Sequence, residues 1–217
     1  MFYIAVPYLP QGDVEHRIES RFVNGIRIPE VQYIDTANLR TMAYAYRIHD
    51  QQGVYFITCT VVQWVDIFTR REYADIIVNS LKYCREHKGL EIFAWVIMSN
   101  HIHLIISCKE GYNLSDILRD FKKYTATQIV QAIESNPRES RKNWLLWLLK
   151  QDDNISFWQK DNYAEEINTS AFYHTKLDYI HQNPVRAGIV DKEEEYLYSS
   201  ARMLFTGQGI LDLDAYS

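Results

Sequence analysis

"SNHIHLIIS", residues 99–107, places two histidines one residue apart in a stretch that otherwise has the character of a buried strand. The preceding run, "LEIFAWVIM" (90–98), is apolar on both faces, as expected for a central strand. Ser99–Asn100 would form a tight turn, so the two runs predict an antiparallel hairpin. Because side chains alternate across a strand, His101 and His103 point to one face and the apolar residues between and after them point to the other. We expect the apolar face to pack against helices and the imidazoles to emerge together on the opposite side.

Hydrophobic periodicity predicts further strands and helices on both sides of the hairpin. Thr169 or Ser170 is the expected N-cap of the last helix, and Pro184 should end that helix. The order of elements predicts an α+β fold, a ferredoxin-like (RRM-like) antiparallel sheet with helices packed mainly on one face. The expected elements are a strand at 54–62, a helix at 72–85, the hairpin strands at 90–98 and 101–107, a helix at 114–132, a strand at 155–167 and a helix at 169–183.

The length of 217 residues fits one domain with an extension. Residues 1–41 hold three of the five prolines and show no sustained period. We interpret them as an N-terminal extension of uncertain order, and residues 42–217 as one domain. The longest unbroken apolar runs have six residues, whereas a membrane span needs roughly 20. No export signal is recognisable, and three widely spaced cysteines suit a reducing compartment, so we expect a cytoplasmic protein without membrane contact.

The charge of the chain is uneven. A net charge of −5 argues against nucleic-acid binding when taken alone. Residues 118–150, however, carry seven basic and three acidic side chains. Such a segment is as compatible with a solvated helix face as with a surface for phosphates. Six of its basic residues are Arg119, Lys122, Lys123, Arg138, Arg141 and Lys142.

The paired histidines and the last helix offer the parts of a metal-dependent site. Two neutral imidazoles a few ångströms apart can bind one metal ion, but the spacing alone favours two hydrogen-bonded histidines of a half-buried strand. Tyr179 and Asn183 are four residues apart and therefore share a helix face. A metal held by His101, His103 and Asn183 could polarise a phosphodiester while the phenol oxygen of Tyr179 attacks phosphorus. The alternative is a tyrosine that merely packs, as expected for most of the 16 tyrosines.

Four blocks between roughly Tyr55 and Ala201 match a known pattern: "VYFITCTV", "AWVIMSNHIHLII", "FWQKDNYAEEI" and "LDYIHQNPVRAGIV…YLYSSA". With these blocks the chain resembles the single-tyrosine HUH transposases, in which a bulky apolar residue separates two histidines. It is most similar to their REP-associated branch. The last block, Tyr-x-x-x-Asn-Pro-Val-x-x-Gly-x-Val, is the more specific one. Residues 1–41 lie outside the resemblance.

The resemblance implies metal ligands at His101, His103 and Asn183 and a nucleophile at Tyr179. The implied reaction cleaves single-stranded DNA at hairpin-forming sequences, leaves a 5′-phosphotyrosine and a free 3′-hydroxyl, and is reversed by rejoining. It requires a divalent cation, Mg²⁺ or Mn²⁺, and no nucleotide cofactor. The six basic residues named above would hold backbone phosphates. Relatives act as monomers or as homodimers, and both states stay open for this chain.

Other residues compete for these roles, and other functions fit the same fold. Tyr124 also follows the HUH strand on a helix, but its spacing predicts a packed, structural side chain. His181 should face largely away from Tyr179, and His174 is a still weaker candidate ligand. The alternative functions are a domesticated or non-catalytic single-stranded nucleic-acid-binding protein, and a phosphodiesterase that uses water as nucleophile.

Overall fold

The computed structural model describes residues 47–151, 154–160 and 163–216, together with the backbone of two short strands near the N-terminus. Residues 1–40 and 41–217 form separate compact units. Apart from those two strands, the predicted N-terminal extension lies outside the described residues. The elements in chain order are β1 (Arg21–Val23), β2 (Ile26–Ile28), β3 (Tyr55–Thr60), α1 (Arg71–His87), β4 (Leu90–Ile97), β5 (His101–Cys108), α2 (Leu114–Ser135), α3 (Lys142–Leu149), β6 (Lys150–Gln151), β7 (Asn154–Ile155), β8 (Tyr163–Glu166), α4 (Ser170–Arg186) and α5 (Ala201–Thr206).

A four-stranded antiparallel sheet with the order β4-β5-β3-β8 forms the centre of the second unit. The predicted hairpin is confirmed as β4 and β5, joined through Ser99 and Asn100. The register of β3 with β5 pairs Thr58 with His103 and Thr60 with His101. The fold is therefore the predicted α+β, ferredoxin-like arrangement, and its register decides which side chains surround the histidines.

Helices cover the two faces of the sheet unequally. On the face of Ile102 and Leu104, α1 and α2 bury their apolar sides in the larger core, because both helices repeat apolar residues at helical spacing. On the opposite face α4 buries Tyr173 and Ile180 in a smaller core that contains Ile105. The predicted packing mainly on one face is confirmed, and α4 is the helix that covers the histidine face.

The predicted strand at 155–167 is broken. Residues 154–155 pair with β6 in a separate hairpin, Trp158 forms an isolated bridge with Val61, and only β8 joins the main sheet. Phe157 and Trp158 are adjacent yet both buried, at 1% and 8% exposure. A regular strand would send these two side chains to opposite faces, so burying both in one core interrupts the alternation.

The prediction that Pro184 ends the last helix is wrong, since α4 continues through Arg186 with Pro184 inside it. Proline removes one backbone donor, and hydrogen bonds around it are kept, since Ala187 N donates to Asn183 O and Gly188 N donates to Val185 O. The predicted N-cap is confirmed at Thr169, whose side chain accepts a hydrogen bond from Phe172 N. Within the part of the chain that is described, no helix has the length and apolarity needed to cross a membrane.

Candidate active site

The site is built first by β5, which places His101 and His103 on the sheet face covered by α4. The centroids of the two imidazole rings are 4.7 Å apart. His103 is buried at 5% exposure, whereas His101, at the start of the strand, is half-buried. Phe56 from β3 stacks on His103 with its ring centroid at 5.3 Å. The pair therefore has a buried member fixed by packing and a second member that reaches solvent.

The tautomer of His101 follows from its partner. His101 Nδ1 lies 2.7 Å from Asn100 Oδ1, while Asn100 Nδ2 donates to the carbonyl oxygen of Trp64 at 3.1 Å. An amide oxygen only accepts hydrogen bonds, so Nδ1 of His101 carries the proton and Nε2 carries the lone pair. Such a partner on the remote nitrogen is the usual way in which a protein orients a metal-binding imidazole.

His103 is also held through its Nδ1, in this case from the neighbouring strand. Its Nδ1 lies 2.8 Å from the hydroxyl oxygen of Thr58, the residue paired with it across β3 and β5. Its Nε2 is buried and has no hydrogen-bond partner among the described residues. A buried nitrogen without a partner is costly in a purely structural histidine, so this atom is well suited to bind a ligand.

Both imidazoles are neutral at physiological pH. Burial lowers the pKa of His101 from 6.5 to about 4. Burial also lowers the pKa of His103 well below 6.5, and the nearby positive charges of Lys176 and Arg186 act in the same direction. The neutral form is the one that can donate a lone pair to a metal ion.

Tyr179 extends from α4 over the histidine pair. Its ring centroid lies 5.2 Å from that of His103 and 5.9 Å from that of Phe56, in both cases edge-to-face. The side chain is 39% exposed, so the phenol is accessible to solvent. Ile180 lies in the smaller core, so the residue before it, Tyr179, lies at the edge of the surface that α4 buries. The structure thus brings the predicted nucleophile and the HUH histidines together within one chain.

Arg186 lies against Tyr179 and was not predicted from the sequence. Its guanidinium carbon is 4.7 Å from the centroid of the phenol ring, and its Nη2 donates to the carbonyl oxygen of Tyr179 at 2.7 Å. The sequence feature that could have predicted this contact is the spacing of seven residues between Tyr179 and Arg186, which is about two helical turns and places both residues on one helix face. The guanidinium therefore contacts both the ring and the backbone of the tyrosine.

Lys176 is a second unpredicted cation on this face of the sheet. Its ammonium lies 4.4 Å from the centroid of the Phe56 ring and forms an ion pair with Glu165 of β8. Together with Arg186 it gives the surroundings of His103 a positive character, although the chain as a whole is acidic. Such a local field favours an anionic ligand such as a phosphodiester.

The residues present fit a divalent cation in their chemistry. The two imidazoles offer lone pairs, and Asn183, half-buried one turn after Tyr179, has an amide oxygen. No hydrogen bond among the described residues joins this carboxamide to either imidazole. Over the same residues, no group of three histidines, cysteines, aspartates or glutamates could hold a metal. Asn183 therefore stays the predicted third ligand.

The predicted phosphate-binding residues lie apart from the histidines. Helix α2 packs on the opposite face of the sheet. Lys122 lies closest to the site, since its ammonium donates to the carbonyl oxygen of Gln159 at 3.1 Å and Gln159 N donates to Thr60 O. Three of the others have partners within the protein: Arg119 pairs with Asp116 and Asp120, Arg141 pairs with Asp66 and Glu139, and Lys142 donates to Glu134 O. Lys123 and Arg138 are exposed.

The competing residues have other surroundings. Tyr124 lies on α2 and is 56% exposed, so it lies beside the packed stripe of that helix and not within it, and the sheet separates it from the histidine face. His181 is buried, and its Nε2 lies 2.9 Å from Ser200 Oγ, which also accepts from Trp95 N. His174 is exposed and contacts the ring of Tyr173.

Comparison with known proteins agrees with this geometry. A Haemophilus influenzae protein assigned as a REP-associated tyrosine transposase is 26% identical over 148 residues, which cover 68% of this chain and 79% of that protein. The solved structure of a REP-associated tyrosine transposase bound to a REP hairpin has the same fold, with a TM-score of 0.55 at 22% identity over 79% of this chain and 93% of that one. The sequence profile described as "Transposase IS200 like" matches residues 53–183. With more than half of its length in that match, including both histidines and Tyr179, the chain belongs to the IS200-like transposase family.

Proposed function

We propose that this protein nicks and rejoins single-stranded DNA at hairpin-forming sequences, with Tyr179 as the nucleophile. The observation that supports it most is the contact between the Tyr179 ring and the buried, neutral His103. The accessible phenol offers a nucleophile, and the neighbouring imidazole has a nitrogen without a hydrogen-bond partner among the described residues. Membership in a transposase family supplies the class of substrate.

In the proposed cleavage, the phenol oxygen of Tyr179 attacks the phosphorus of the scissile phosphodiester. The bond from phosphorus to the 3′ oxygen breaks, the phenolic proton is lost to solvent, and the departing oxygen takes up a proton to become a free 3′-hydroxyl. The DNA is then linked to the enzyme through a 5′-phosphotyrosine. Attack of a 3′-hydroxyl on this linkage restores the phosphodiester and the phenol, so no nucleotide cofactor is consumed.

His101, His103 and Asn183 would hold a divalent cation, Mg²⁺ or Mn²⁺. Such an ion acts as a Lewis acid toward a phosphoryl oxygen when it is bound. Asn100 and Thr58 hydrogen-bond Nδ1 of His101 and His103, respectively, which leaves both Nε2 atoms for the ion.

The proposed substrate is a single DNA strand that folds into a hairpin. A related structure contains a REP hairpin, which agrees with this choice. Lys176, whose positive charge acts on His103, would favour the phosphate at the point of cleavage, whereas Arg186 is assigned to holding the Tyr179 ring. Lys122, Lys123, Arg119, Arg138, Arg141 and Lys142 are proposed as contacts to the DNA backbone farther from the reaction.

The test is a covalent adduct. A hairpin oligonucleotide with unpaired tails, taken from inverted repeats that flank the gene, is incubated with the protein and Mn²⁺ and then run on a denaturing gel. We expect an adduct that chelation with EDTA abolishes. Tyr179→Phe should abolish the adduct and leave DNA binding within about threefold, while the matched control Tyr124→Phe should form it normally.

The same experiment separates the alternative functions. Binding without an adduct, in the presence of Mn²⁺, would indicate a non-catalytic DNA-binding protein. Strand cleavage without an adduct would indicate a phosphodiesterase that uses water. An adduct that persists in Tyr179→Phe and disappears in Tyr124→Phe would contradict the assignment of the nucleophile.

A further inference from the structure

The loop after β3 presents an exposed tryptophan beside the histidine pair. Trp64 is 60% exposed, and its ring centroid lies 6.3 Å from that of His101 in an edge-to-face arrangement. A large aromatic side chain in this position leaves much of its apolar surface in water. A single exposed aromatic residue is common on protein surfaces, so the case for Trp64 depends on its position beside His101.

The backbone of this loop is held in an unfavourable conformation. Gln63 and Trp64 have φ values of 55° and 56°, in the left-handed region that non-glycine residues seldom occupy. The conformation is maintained by Asn100, whose amide donates to Trp64 O and whose oxygen bonds His101. Val61 N donates to Asn100 O and anchors the start of the loop. Strain that the surroundings enforce in this way is characteristic of binding and catalytic sites.

Trp64 forms one wall of an open cleft of about 400 Å³. This volume is within the range of small-ligand sites, roughly 300–1,000 Å³. Trp158 is buried and directs its indole N–H away to Thr125 Oγ1, so it provides an apolar surface. Polar side chains surround the opening. The lining consists of Val62, Gln63, Trp64, Ser156, Trp158, Gln159 and Lys160.

We propose that this cleft binds one unpaired nucleobase of the DNA strand, next to the phosphodiester that is cleaved, with the base stacked on Trp64. The inference rests on the proposed function, because the substrate is the same single strand. A planar base matches the exposed indole, and base stacking on aromatic side chains is the usual way in which proteins hold single strands. The amide of Gln63 and the ammonium of Lys160 border the same cleft and can contact base edges or phosphate.

The location of the cleft supports a base rather than another flat ligand. The contact of Trp64 with His101 leaves little distance between the cleft and the proposed point of cleavage. A strand whose phosphate lies at the histidines would pass the indole with its neighbouring nucleotide. Because Asn100 bonds both Trp64 O and His101, the position of the base and the position of the metal ligand are fixed relative to each other.

The test is the dissociation constant of the tailed hairpin oligonucleotide for Tyr179→Phe protein, which isolates binding from cleavage. We expect the additional change Trp64→Ala to raise Kd about tenfold, as the loss of one stacked base does. Trp64→Phe should restore Kd to within about threefold. The matched control is Trp147→Ala, which removes a tryptophan that is 74% exposed on α3 and should leave Kd unchanged.

Abasic substitutions along the unpaired tails then locate the base. Removing the base at one position should raise Kd about tenfold when Trp64 is present. The same removal should not raise Kd further in Trp64→Ala, since the two changes remove the same contact. Equal Kd values for Trp64→Ala and the parent protein, or losses that add at every position, would overturn the proposal. These measurements do not require an adduct, so a failure of the proposed cleavage chemistry would be seen separately in wild-type protein.

Discussion

Arg186→Ala should impair the reaction by releasing Tyr179 and should affect DNA affinity much less. The change removes a cation–π contact at 4.7 Å and a charge-assisted hydrogen bond of 2.7 Å to the tyrosine carbonyl. At an exposed site the first is worth about 0.5–1 kcal/mol, and the second contributes about 1 kcal/mol after allowance for solvent. The hydrogen bond is to a backbone oxygen, so it holds the guanidinium in place and only the cation–π contact acts on the ring. The loss of about 0.5–1 kcal/mol corresponds to roughly a two- to fivefold lower population of the ring in its observed position.

The assay is single-turnover formation of the covalent adduct at saturating oligonucleotide. We expect the rate constant to fall about two- to fivefold in Arg186→Ala and Kd to rise less than twofold. Arg186→Lys keeps a cation near the ring and should recover part of the rate. Lys82→Ala removes an exposed surface cation on α1 and serves as the control for a general change in charge.

An unchanged rate with a tenfold weaker Kd would refute this reasoning. That result would show that Arg186 holds the DNA backbone and that Tyr179 keeps its orientation through packing alone. A thermal unfolding curve of each variant separates both results from a loss of fold, since a loss of about 1.5 kcal/mol shifts the midpoint by only a few degrees in a chain of this size.

Two further predictions concern residues that support the site and the fold. Thr58→Val removes the partner of His103 Nδ1, so the Mn²⁺ concentration that gives half-maximal adduct should rise at least tenfold, whereas an unchanged value would exclude this role. Glu139→Gln should lower the free energy of unfolding at pH 7 by about 1.5–3 kcal/mol, because the buried carboxylate pairs with Arg70 and Arg141. Burial raises the pKa of Glu139, but its hydrogen bonds and these cations have the larger effect and hold the pKa below 4.5. The extra stability of the glutamate protein over the glutamine variant is therefore fully present above pH 4.5 and is lost as the pH falls through the lower pKa of the folded state. Denaturant titrations of both proteins across this pH range measure the difference.

The parts of the fold that could be predicted are those in which a local period decides the structure. The hairpin followed from an apolar run, a polar dipeptide and a second largely apolar run that opens with two alternating histidines, all within 18 residues. The strand expected at 155–167 failed because Phe157 and Trp158 enter the same core, a tertiary requirement that a local pattern does not contain. Pro184 was misjudged because the cost of proline depends on its distance from the helix end, which the sequence does not reveal.

The candidate site divides in the same way. His101 and His103 share a face because of strand periodicity, and Tyr179 was identified from a spaced motif. The residues that orient them were not identified, because Thr58 reaches His103 only through the register of two strands. The basic residues of α2 were predicted from charge alone, which ignores that this helix covers the opposite face of the sheet.

The two halves of the site are supported very differently, and this difference bears on mechanism. The histidines lie on a central strand that is hydrogen-bonded to a neighbouring strand on each side. Asn100 and Thr58 hydrogen-bond the Nδ1 atoms of His101 and His103 and so orient both rings. Tyr179 lies on a helix that covers the smaller core, and its exposed ring is held mainly by edge contacts and one guanidinium. Regions with fewer buried contacts open at lower free energy than central strands. A linkage through this tyrosine would therefore let the DNA end move with the side chain while the metal ligands stay in place, which is what alternate cleavage and rejoining at one pair of imidazoles requires.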